Sequence, residues 1–442
     1  MEAYRQAVDA CEFVQRIGRL THFYGLVLES SGPEVFLGER CEIYASPDDE
    51  PVLAEVVGIK DEKVLMMPYG DLRGVGLGSE VIATGKMVDV PVGDGLLGRV
   101  VDAFGRPLDG KAPPMPAASY PLYSEPMNPL TRPRIQQVME TGVRAVDTLL
   151  TIGRGQRVGI FAGSGVGKST LLGMIARHMD ADVNVIALVG ERGREVLDFI
   201  EQILGEEGLR RSVVIVATSD QPALMRTHAA LAATAIAEYF RDQGKDVVLT
   251  MDSVTRFAMA QREIGLAVGE PPTARGYTPS VFAQLPRLLE RGGTADTGGS
   301  ITAFYTVLVE GDDMNDPISD TIRAILDGGI VLSREIANRG HYPSIDILQS
   351  TSRLFRQLTT EAERAVAEKL IEILSAYDSS RDMIEIGAYR KGSNPGLDRA
   401  IDLMPEIDAF LRQDIGDVAS RAEACAQLVR IIERQEGRRD EA

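Results

Sequence analysis

A glycine-rich stretch with one lysine is the part of this sequence best suited to chemistry. Residues 162–169 read Ala-Gly-Ser-Gly-Val-Gly-Lys-Ser, between an apolar run at 158–161 and a helical pattern at 170–179. Glycines have no Cβ, so successive backbone N–H groups can turn onto phosphate oxygens, and a helix that begins at the loop adds the positive end of its dipole. The stretch therefore predicts a phosphate-binding loop, with alanine where the usual pattern begins with glycine.

The residues of this loop have predicted parts in binding a nucleotide and its metal ion. Lys168 offers a positive charge to the phosphates, and Ser169 offers a hydroxyl ligand to the Mg²⁺ that bridges them. A nucleotide with Mg²⁺ is therefore the expected ligand of the loop. The predicted nucleotide-binding residues of the loop are Gly163, Ser164, Gly165, Val166, Gly167, Lys168, Ser169 and Thr170.

Two acidic residues stand at the ends of apolar runs further along the chain. Asp252 follows the run 247–251, and Glu191 follows the run 183–190. Because the carboxyl ends of buried parallel strands share one edge of a sheet, we expect both side chains beside the loop. Asp252 would hold the metal ion through water, and Glu191 would polarise the attacking water. The alternative for Asp252 is that it caps the following helix. Arg192, Arg194 and Glu195 either share the same edge or form a solvated strand-to-helix turn with local ion pairs.

The elements that must position these residues alternate between apolar strands and helical patterns. Runs rich in Val, Ile and Leu recur between about 143 and 350, at 158–161, 183–189, 213–217, 247–251 and 301–309. Such continuous apolar runs are typical of strands covered on both faces. They predict an α/β fold with a mainly parallel sheet flanked by helices.

The pattern of apolar and turn residues is different on either side of this core. Short apolar runs broken by Gly, Pro and Asp at 18–84 predict a small antiparallel barrel or sandwich. A Gly- and Pro-rich passage at 90–129 is typical of a linker and an irregular lead-in. Apolar residues spaced by threes and fours predict helices from about 359 onward. The same spacing in the first 18 residues predicts a short amphipathic helix, packed on its own domain or on a partner.

Composition limits the kind of protein this is. A chain of 442 residues is long enough for two or three domains, and 44% hydrophobic with 25% charged residues is ordinary for folded proteins. The net charge of −18 argues against a general nucleic-acid binder, which needs a surplus of Lys and Arg. Cys11, Cys41 and Cys425 have no metal-ligand spacing and fit a reducing cytoplasm. With no secretory signal and no run long enough to span a bilayer, a role at a membrane would be peripheral.

Three motifs in the predicted core resemble those of the rotary and export ATPases, a group that includes the catalytic subunits of F-type ATP synthases. They are Val-Gly-Glu-Arg-Gly-Arg-Glu at 189–195, Met-Asp-Ser-Val-Thr-Arg at 251–256 and Gly-Glu-Pro-Pro-Thr-Ala-Arg-Gly-Tyr at 269–277. The segments 301–313, 327–334 and 341–346 are similar to those of the flagellar and virulence type III export ATPases. Alanine at the start of the loop fits the same export-ATPase pattern.

The resemblance implies roles for residues that the motifs alone leave open. It makes Glu191 the catalytic carboxylate and Asp252, with Ser169, the metal site. Tyr342 would stack on the adenine, although its neighbours alone indicate an ordinary loop tyrosine. Arg353 would be an arginine finger inserted into a neighbouring subunit's site, although by itself it is a surface arginine. The full catalytic set implied is Glu191, Lys168, Arg192, Arg256 and Arg353, with both Arg192 and Arg256 approaching the γ-phosphate.

One chain that carries both Glu191 and the finger Arg353 can supply both sides of a shared site. By resemblance this implies a homohexamer that hydrolyses Mg-ATP to drive protein export through the flagellar type III apparatus. The alternatives are the same chemistry in a virulence secretion system, a rotary ATP synthase subunit, an RNA-translocating termination factor, and a nucleotide-binding subunit without turnover. Glu191 argues against the last, and the acidic charge with few aromatics in the N-terminal β region argues against the RNA alternative.

The resemblance also implies a domain order and a set of partners. The fold class expected is α/β, a RecA-like P-loop core preceded by a small antiparallel β-barrel domain and followed by a helical C-terminal domain. The boundaries are an arm at 1–18, a barrel at 19–90, a core at 91–355 and helices at 356–442. The implied partners are a stator-like regulator, a coiled-coil stalk protein, the export gate, and export chaperones with their substrates, and no nucleic acid. The protein is expected in the cytoplasm, peripherally associated with the inner membrane.

Overall fold

The structure, a computed structural model, describes residues 15–46 and 49–433. The helix predicted at 1–18 falls largely on residues 1–14, which lie outside the described residues. For the next residues the prediction is wrong, because Arg16 begins a strand that pairs with the strand Glu80–Met87. A Cβ on Gly18 would come within 2.2 Å of the Gly32 backbone, so this strand passes its neighbour at a distance that only glycine allows.

Six antiparallel strands close into an N-terminal barrel, in the order β1-β2-β5-β4-β3-β6. Side chains alternate between interior and surface, as along β3, so that one face of each strand fills a small apolar core. The barrel strands are β1 (Arg16–Tyr24), β2 (Val27–Ser31), β3 (Glu39–Tyr44), β4 (Val52–Lys60), β5 (Lys63–Pro68) and β6 (Glu80–Met87).

The passage predicted as a linker contains three short strands. Two of them, β7 (Asp89–Val92) and β9 (Ala118–Pro121), pair with each other. The third, β8 (Arg99–Val101), pairs in parallel with the core strand Ser212–Ala217. The prediction of a linker is therefore wrong at these strands. They are too short to show alternation, and β8 is held by the main-chain groups of a strand far along the chain.

The core is a nine-stranded sheet in the order β19-β18-β12-β17-β15-β13-β14-β8, with β16 attached to β17. Its central pairs are all parallel, and β13 and β14 are buried along their whole length. The predicted parallel sheet is confirmed, and each predicted strand ends within one residue of the observed one. The strands are β10 (Val138–Met139) and β11 (Ile152–Gly153), which pair separately, and β12 (Arg157–Ala162), β13 (Val183–Val189), β14 (Ser212–Ala217), β15 (Asp246–Asp252), β16 (Gly293–Thr294), β17 (Ser300–Leu308), β18 (Gly328–Leu332) and β19 (Thr351–Ser352).

Helices flank this sheet. They are α1 (Arg144–Leu149), α2 (Lys168–His178), α3 (Gly193–Asp198) continued by a π-helical turn (Phe199–Leu204), α4 (Gly205–Arg210), α5 (Ala223–Asp242), α6 (Val254–Ala267), α7 (Pro279–Leu289), α8 (Pro317–Ile325) and α9 (Arg334–Asn338), with 3₁₀ turns at Asp94–Leu96, Ala274–Gly276 and Glu310–Asp312. The long helix α5 lies against β13, β14 and β15 and supplies a row of small buried alanines. Close packing of this kind fixes the strand ends on which the polar residues stand.

The C-terminal domain is helical, as predicted. Its helices are α10 (Phe355–Leu358), α11 (Glu361–Ser379), α12 (Arg381–Glu385), α13 (Pro395–Leu411) and α14 (Arg421–Glu433). Leu370, Phe410 and Leu428 meet in an apolar core that is continuous with one side of the sheet. Gln413 ties the domain to the core because its side chain donates to Gly142 O at 2.7 Å. Among the described residues, each helix is too short or too polar to cross a membrane.

Candidate active site

The loop after β12 has the backbone that a phosphate site needs. Gly165 and Gly167 have φ values of +77° and +92°, in the left-handed region where residues with a Cβ are strained. Ala162 precedes these positions. It is the last residue of β12, pairs with both neighbouring strands and is buried. The alanine that departs from the usual pattern therefore lies in the sheet, ahead of the two glycines with left-handed φ values.

The lysine of the loop lies between the two predicted carboxylates. Lys168 is the first residue of α2, and its Nζ donates to Asp252 Oδ1 at 2.6 Å and to Glu191 Oε1 at 3.5 Å. Burial lowers the pKa of Lys168, but the two carboxylates outweigh burial and raise the pKa above its usual value. Ser169 and Thr170 follow in the first turn of α2 and are partly exposed. The structure thus brings together the three charged residues that the sequence predicted at one sheet edge.

Asp252 is the most deeply placed of these groups. It is the last residue of β15, is buried, and its Oδ1 accepts a hydrogen bond from Thr306 Oγ1 at 2.8 Å. The alternative in which Asp252 caps a helix is wrong. Ser253 is the N-cap of α6, and its hydroxyl accepts from the backbone of Arg256 at 3.3 Å. The carboxylate of Asp252 is turned toward Lys168 instead.

Glu191 has the electrostatics of a group that exchanges a proton near neutrality. Burial, and then the negative charge of Asp252, raise the pKa of Glu191 to about 7 against the opposing effect of Lys168. Glu195 shares a hydrogen bond with Glu191, and that bond lowers the pKa of Glu195. A carboxyl group with its pKa at working pH is well matched to accept a proton from water.

The arginines of the predicted site have different surroundings. Arg192 is 82% exposed and pairs with Glu195 at 3.5 Å, and Arg194 pairs with Asp198 at 3.6 Å. The predicted solvated turn with local ion pairs is therefore present for these two arginines, while Glu191 faces inward. Arg256 packs its stem against Gly190, where a Cβ would come within 2.9 Å of it. Its buried Nε has no hydrogen-bond partner among the described residues, and its Nη1 lies 3.9 Å from Met259 Sδ.

The last two predicted residues lie on loops that follow the sheet. Ring atoms of Tyr342 stand 3.2 and 3.3 Å from the position of a Cβ on Gly167, so an exposed aromatic face lies beside the loop. Arg353 is exposed just after the edge strand β19 and donates to the carbonyls of Arg323 and Ala324 at 3.2 and 3.5 Å. None of its hydrogen bonds within 15–46 and 49–433 reaches a residue of its own chain's site.

The structure adds residues that were not predicted to belong to the site. Ser344 Oγ donates to Val166 O at 2.6 Å, and Arg334 Nη1 donates to Ser164 O at 3.2 Å. With Thr306, these side chains hold the loop and Asp252 from behind. The signal for Thr306 was a hydroxyl in an apolar strand, but Thr302 in the same run offers the same signal. The signal for Arg334 and Ser344 was their place in two export-ATPase segments, but contacts across more than 150 residues are not visible in a sequence.

A barrel, a P-loop core with a lysine between two carboxylates, and a helical C-terminal domain define an ATPase of the P-loop class. Models of known families match each part. The ATP synthase alpha/beta family matches with its beta-barrel domain at residues 21–85 and its nucleotide-binding domain at 142–352, and the T3SS EscN ATPase C-terminal domain matches at 359–430.

Individual relatives match over nearly the whole chain. The flagellum-specific ATP synthase of Bacillus subtilis is 55% identical over 97% of this chain and 98% of its own length. The type 3 secretion system ATPase of Xanthomonas euvesicatoria is 50% identical over 90% of each chain. The structure of the assembled ATPase EscN from enteropathogenic E. coli superposes with a TM-score of 0.89 at 45% identity, covering 94% of this chain and 100% of that one.

The chain belongs to the ATP synthase alpha/beta family, within the group of flagellum-specific ATP synthases and type III secretion ATPases. The resemblance inferred from the motifs is confirmed, and so is the predicted order of barrel, P-loop core and helical domain. The protein is an ATPase of the export group.

Proposed function

We propose that this ATPase hydrolyses Mg-ATP in a homohexameric ring that primes protein export through the flagellar type III apparatus. The observation that carries the proposal is the position of Lys168 between Asp252 and Glu191, with the pKa of Glu191 raised to about 7. An ion pair that only stabilised the fold would need Lys168 and one carboxylate. A second carboxyl group poised near neutrality is what hydrolysis needs.

The loop and its neighbours fit a nucleoside triphosphate. The inward N–H groups of the glycine-rich turn and the first turn of α2 would bind the phosphates, with Lys168 as the cation. The stem of Arg256 lies against Gly190, next to Glu191, and we assign its guanidinium to the γ-phosphate. Tyr342 offers an exposed aromatic ring beside Gly167 for the base.

The same edge of the sheet fits Mg²⁺. Ser169 offers a hydroxyl and Asp252 a carboxylate, and oxygen ligands of these kinds are the ones that Mg²⁺ prefers. When bound with the nucleotide, Mg²⁺ would neutralise charge on the phosphate oxygens. Thr306 holds the Asp252 carboxylate in a fixed position through its 2.8 Å hydrogen bond, and Glu191 would accept a proton from the attacking water at its Oε atoms.

The position of Arg353 supports the proposal of a ring. The guanidinium is exposed and makes its hydrogen bonds to carbonyl groups away from the loop, so we assign it to the site of a neighbouring copy. An arginine finger supplied in this way is worth about 10³ to 10⁵ in turnover. EscN itself is an assembled ATPase in its structure, and a second structure has that ATPase in complex with its central stalk EscO. By analogy we propose a homohexamer around a coiled-coil stalk protein.

The remaining partners follow from the export role. We propose that a stator-like regulator binds the N-terminal arm, and that export chaperones and their substrates meet the ring at the export gate. The ring would then be cytoplasmic and held at the inner membrane through other proteins. Nucleic acid is not among the proposed partners, since a net charge of −18 opposes it.

A second candidate is the same ATPase in a virulence secretion system. The 50% identity to the Xanthomonas enzyme and the likeness to EscN favour it, while the 55% identity to the Bacillus enzyme favours the flagellum. The match of residues 359–430 to the C-terminal domain of EscN favours either export role over a rotary synthase subunit.

Deletion of the gene tests the proposal. Cells without this protein are expected to lack flagellar filaments and to be non-motile, and a plasmid copy of the parent should restore swimming. A copy with Lys168→Ala should not restore it, because the phosphate cation is lost, whereas a copy with Lys245→Ala should, because Lys245 pairs with Asp94 away from the loop. Swimming cells in the deletion strain would overturn the flagellar role.

A further inference from the structure

The outer side of the phosphate-binding loop is held by two side chains from one later segment. Arg334 Nη1 donates to Ser164 O at 3.2 Å, and Ser344 Oγ donates to Val166 O at 2.6 Å. Both acceptors are carbonyl groups of the loop itself. Neither donor contacts Lys168, Glu191 or Asp252 through any hydrogen bond among the described residues.

Because the peptide unit is planar, these two contacts also set the direction of two backbone N–H groups of the loop. In a trans peptide the C=O of one residue and the N–H of the next lie in one plane and point in opposite directions. A Ser164 carbonyl held outward therefore directs the N–H of Gly165 inward. In the same way, the Val166 carbonyl held by Ser344 directs the N–H of Gly167 inward. Gly165 and Gly167 are the residues with left-handed φ values, where the backbone has most freedom to turn away.

Arg334 is itself positioned by a turn on the protein surface. Its Nε donates to Asp312 Oδ2 at 3.1 Å, and Asp312 has a left-handed φ of +58° directly after Gly311. A Cβ on Gly163 would stand 2.6 Å from Asp312 Oδ1 and 2.7 Å from Arg334 Nη2. The carboxylate and the guanidinium thus lie directly against the loop backbone at Gly163.

We propose that Arg334 and Ser344 are positioning residues that preorganise the Gly165 and Gly167 N–H groups for the phosphates, with Asp312 holding Arg334 in place. The inference rests on the proposed function, since it concerns the nucleotide site of that reaction. Hydrogen-bond donors fixed before the ligand arrives do not lose conformational freedom on binding, which strengthens binding without any new contact to the ligand.

Because the Arg334–Asp312 ion pair is exposed, an effect of Arg334 on nucleotide binding can be told apart from an effect on folding. The side chains of Arg334 and Asp312 are 47% and 48% exposed. Pairs this exposed contribute little to the free energy of unfolding. Loss of Arg334 should therefore leave the thermal midpoint almost unchanged while it weakens nucleotide binding.

Titration of the full-length variants with Mg-ADP tests the proposal. We expect Arg334→Ala to raise the Kd about 10- to 100-fold, as for loss of a charge-assisted hydrogen bond. The KM for ATP should rise by a similar factor while kcat changes less. Arg334→Lys should recover part of the loss, because lysine keeps the charge but loses the fork that reaches both Ser164 and Asp312. Arg339→Ala is the matched control, since Arg339 follows the same helix but pairs with Glu335.

Two further variants make the test specific. Asp312→Ala should weaken binding in the parent but add nothing in the Arg334→Ala background, because its effect passes through Arg334. Ser344→Ala should raise the Kd in the same direction. Ser350→Ala is its control, since that hydroxyl donates to Asp346 O at 2.6 Å and does not touch the loop.

The outcomes distinguish this inference from the function on which it rests. A parent that binds Mg-ADP and hydrolyses ATP, with Arg334→Ala and Ser344→Ala variants that bind equally well, would overturn the inference and leave the function standing. A parent that binds no nucleotide would overturn both. Weaker binding accompanied by an equal loss in the Arg339→Ala control would also count against a role for Arg334 in particular.

Discussion

The two halves of the proposed active site differ sharply in how the chain holds them. In the phosphate half, Lys168, Glu191 and Asp252 are half-buried or buried and bonded to one another. In the finger half, Arg353 is exposed and bonded to two carbonyl groups at the end of α8. The first half is complete in a single chain. Among the described residues of its own chain, the Arg353 side chain makes no hydrogen bond to the phosphate half. This is expected of a group that acts in the site of a neighbouring subunit.

This difference sets what each substitution should do. A charge removed from the phosphate half leaves a partner unpaired in a poorly solvated place, so folding, binding and chemistry can all change. Arg353 loses two exposed hydrogen bonds when it is removed, which should hardly affect folding. A variant of Arg353 that unfolds the chain, or a variant of the phosphate half that behaves like a surface substitution, would contradict this difference between the two halves.

The largest expected effect belongs to the finger. Arg353→Ala should lower the turnover of the assembled ring by about 10³- to 10⁵-fold, because positive charge at the γ-phosphate is lost. Nucleotide binding and the thermal midpoint should stay at parent values. The comparison is with Arg356→Ala, an exposed arginine of the next helix that pairs with Glu368. Steady-state ATPase assays over a range of protein concentrations measure the effect. A parent whose activity per subunit is independent of concentration would contradict a shared site.

Glu191→Gln should have the next largest effect. The amide keeps the size of the carboxyl group but cannot accept the proton of the attacking water, so turnover should fall about 10²- to 10⁴-fold. Binding of Mg-ATP should persist, because Lys168 keeps its shorter contact to Asp252 at 2.6 Å. A Glu201→Gln variant, changed on an exposed helical face, controls for the loss of a charge. Turnover near the parent rate would show that another group is the base.

A smaller effect is expected from pH. Because the pKa of Glu191 is raised to about 7 by burial and by Asp252, the basic form is lost as pH falls below 7. We expect kcat/KM to fall about tenfold per pH unit below that point, since kcat/KM reports groups of the free enzyme. The residual activity of Glu191→Gln should lack this dependence. An unchanged profile in the variant would assign the titration to a different group.

The smallest effect should appear in stability. Glu191 has a pKa of about 7 when folded and 4.5 as its usual value, so between these values the folded chain holds a proton that the unfolded chain releases. Stability from this group is therefore present below pH 4.5 and lost as pH rises to 7. The Tm of Glu191→Gln should approach that of the parent at low pH and exceed it above pH 7. A difference in Tm that does not vary with pH would show that the protonation of Glu191 is not coupled to folding stability.

The phosphate half was also the part of the site most readable from the sequence. Lys168 stands in a recognisable glycine-rich loop, and Glu191 and Asp252 follow apolar runs that locate buried strands and their shared edge with little dependence on the rest of the chain. The strand β8 and the strand that begins at Arg16 were misread because their structure depends on partners far along the chain. The tie between Arg334 and Ser164 was invisible for the same reason. The sequence left two adjacent candidates for the N-cap of α6, and in the structure the cap is Ser253 and not Asp252.

The finger half stays a prediction, because a single chain has no neighbour against which to place Arg353. Mixing two inactive variants tests it most directly. Glu191→Gln subunits still carry Arg353, and Arg353→Ala subunits still carry Glu191. In mixed rings about a quarter of the interfaces would pair the intact residues of the two. A shared site predicts that ATPase activity returns on mixing, to a level well above either variant alone. Rings verified to contain both variants, with no activity above that of each alone, would contradict it.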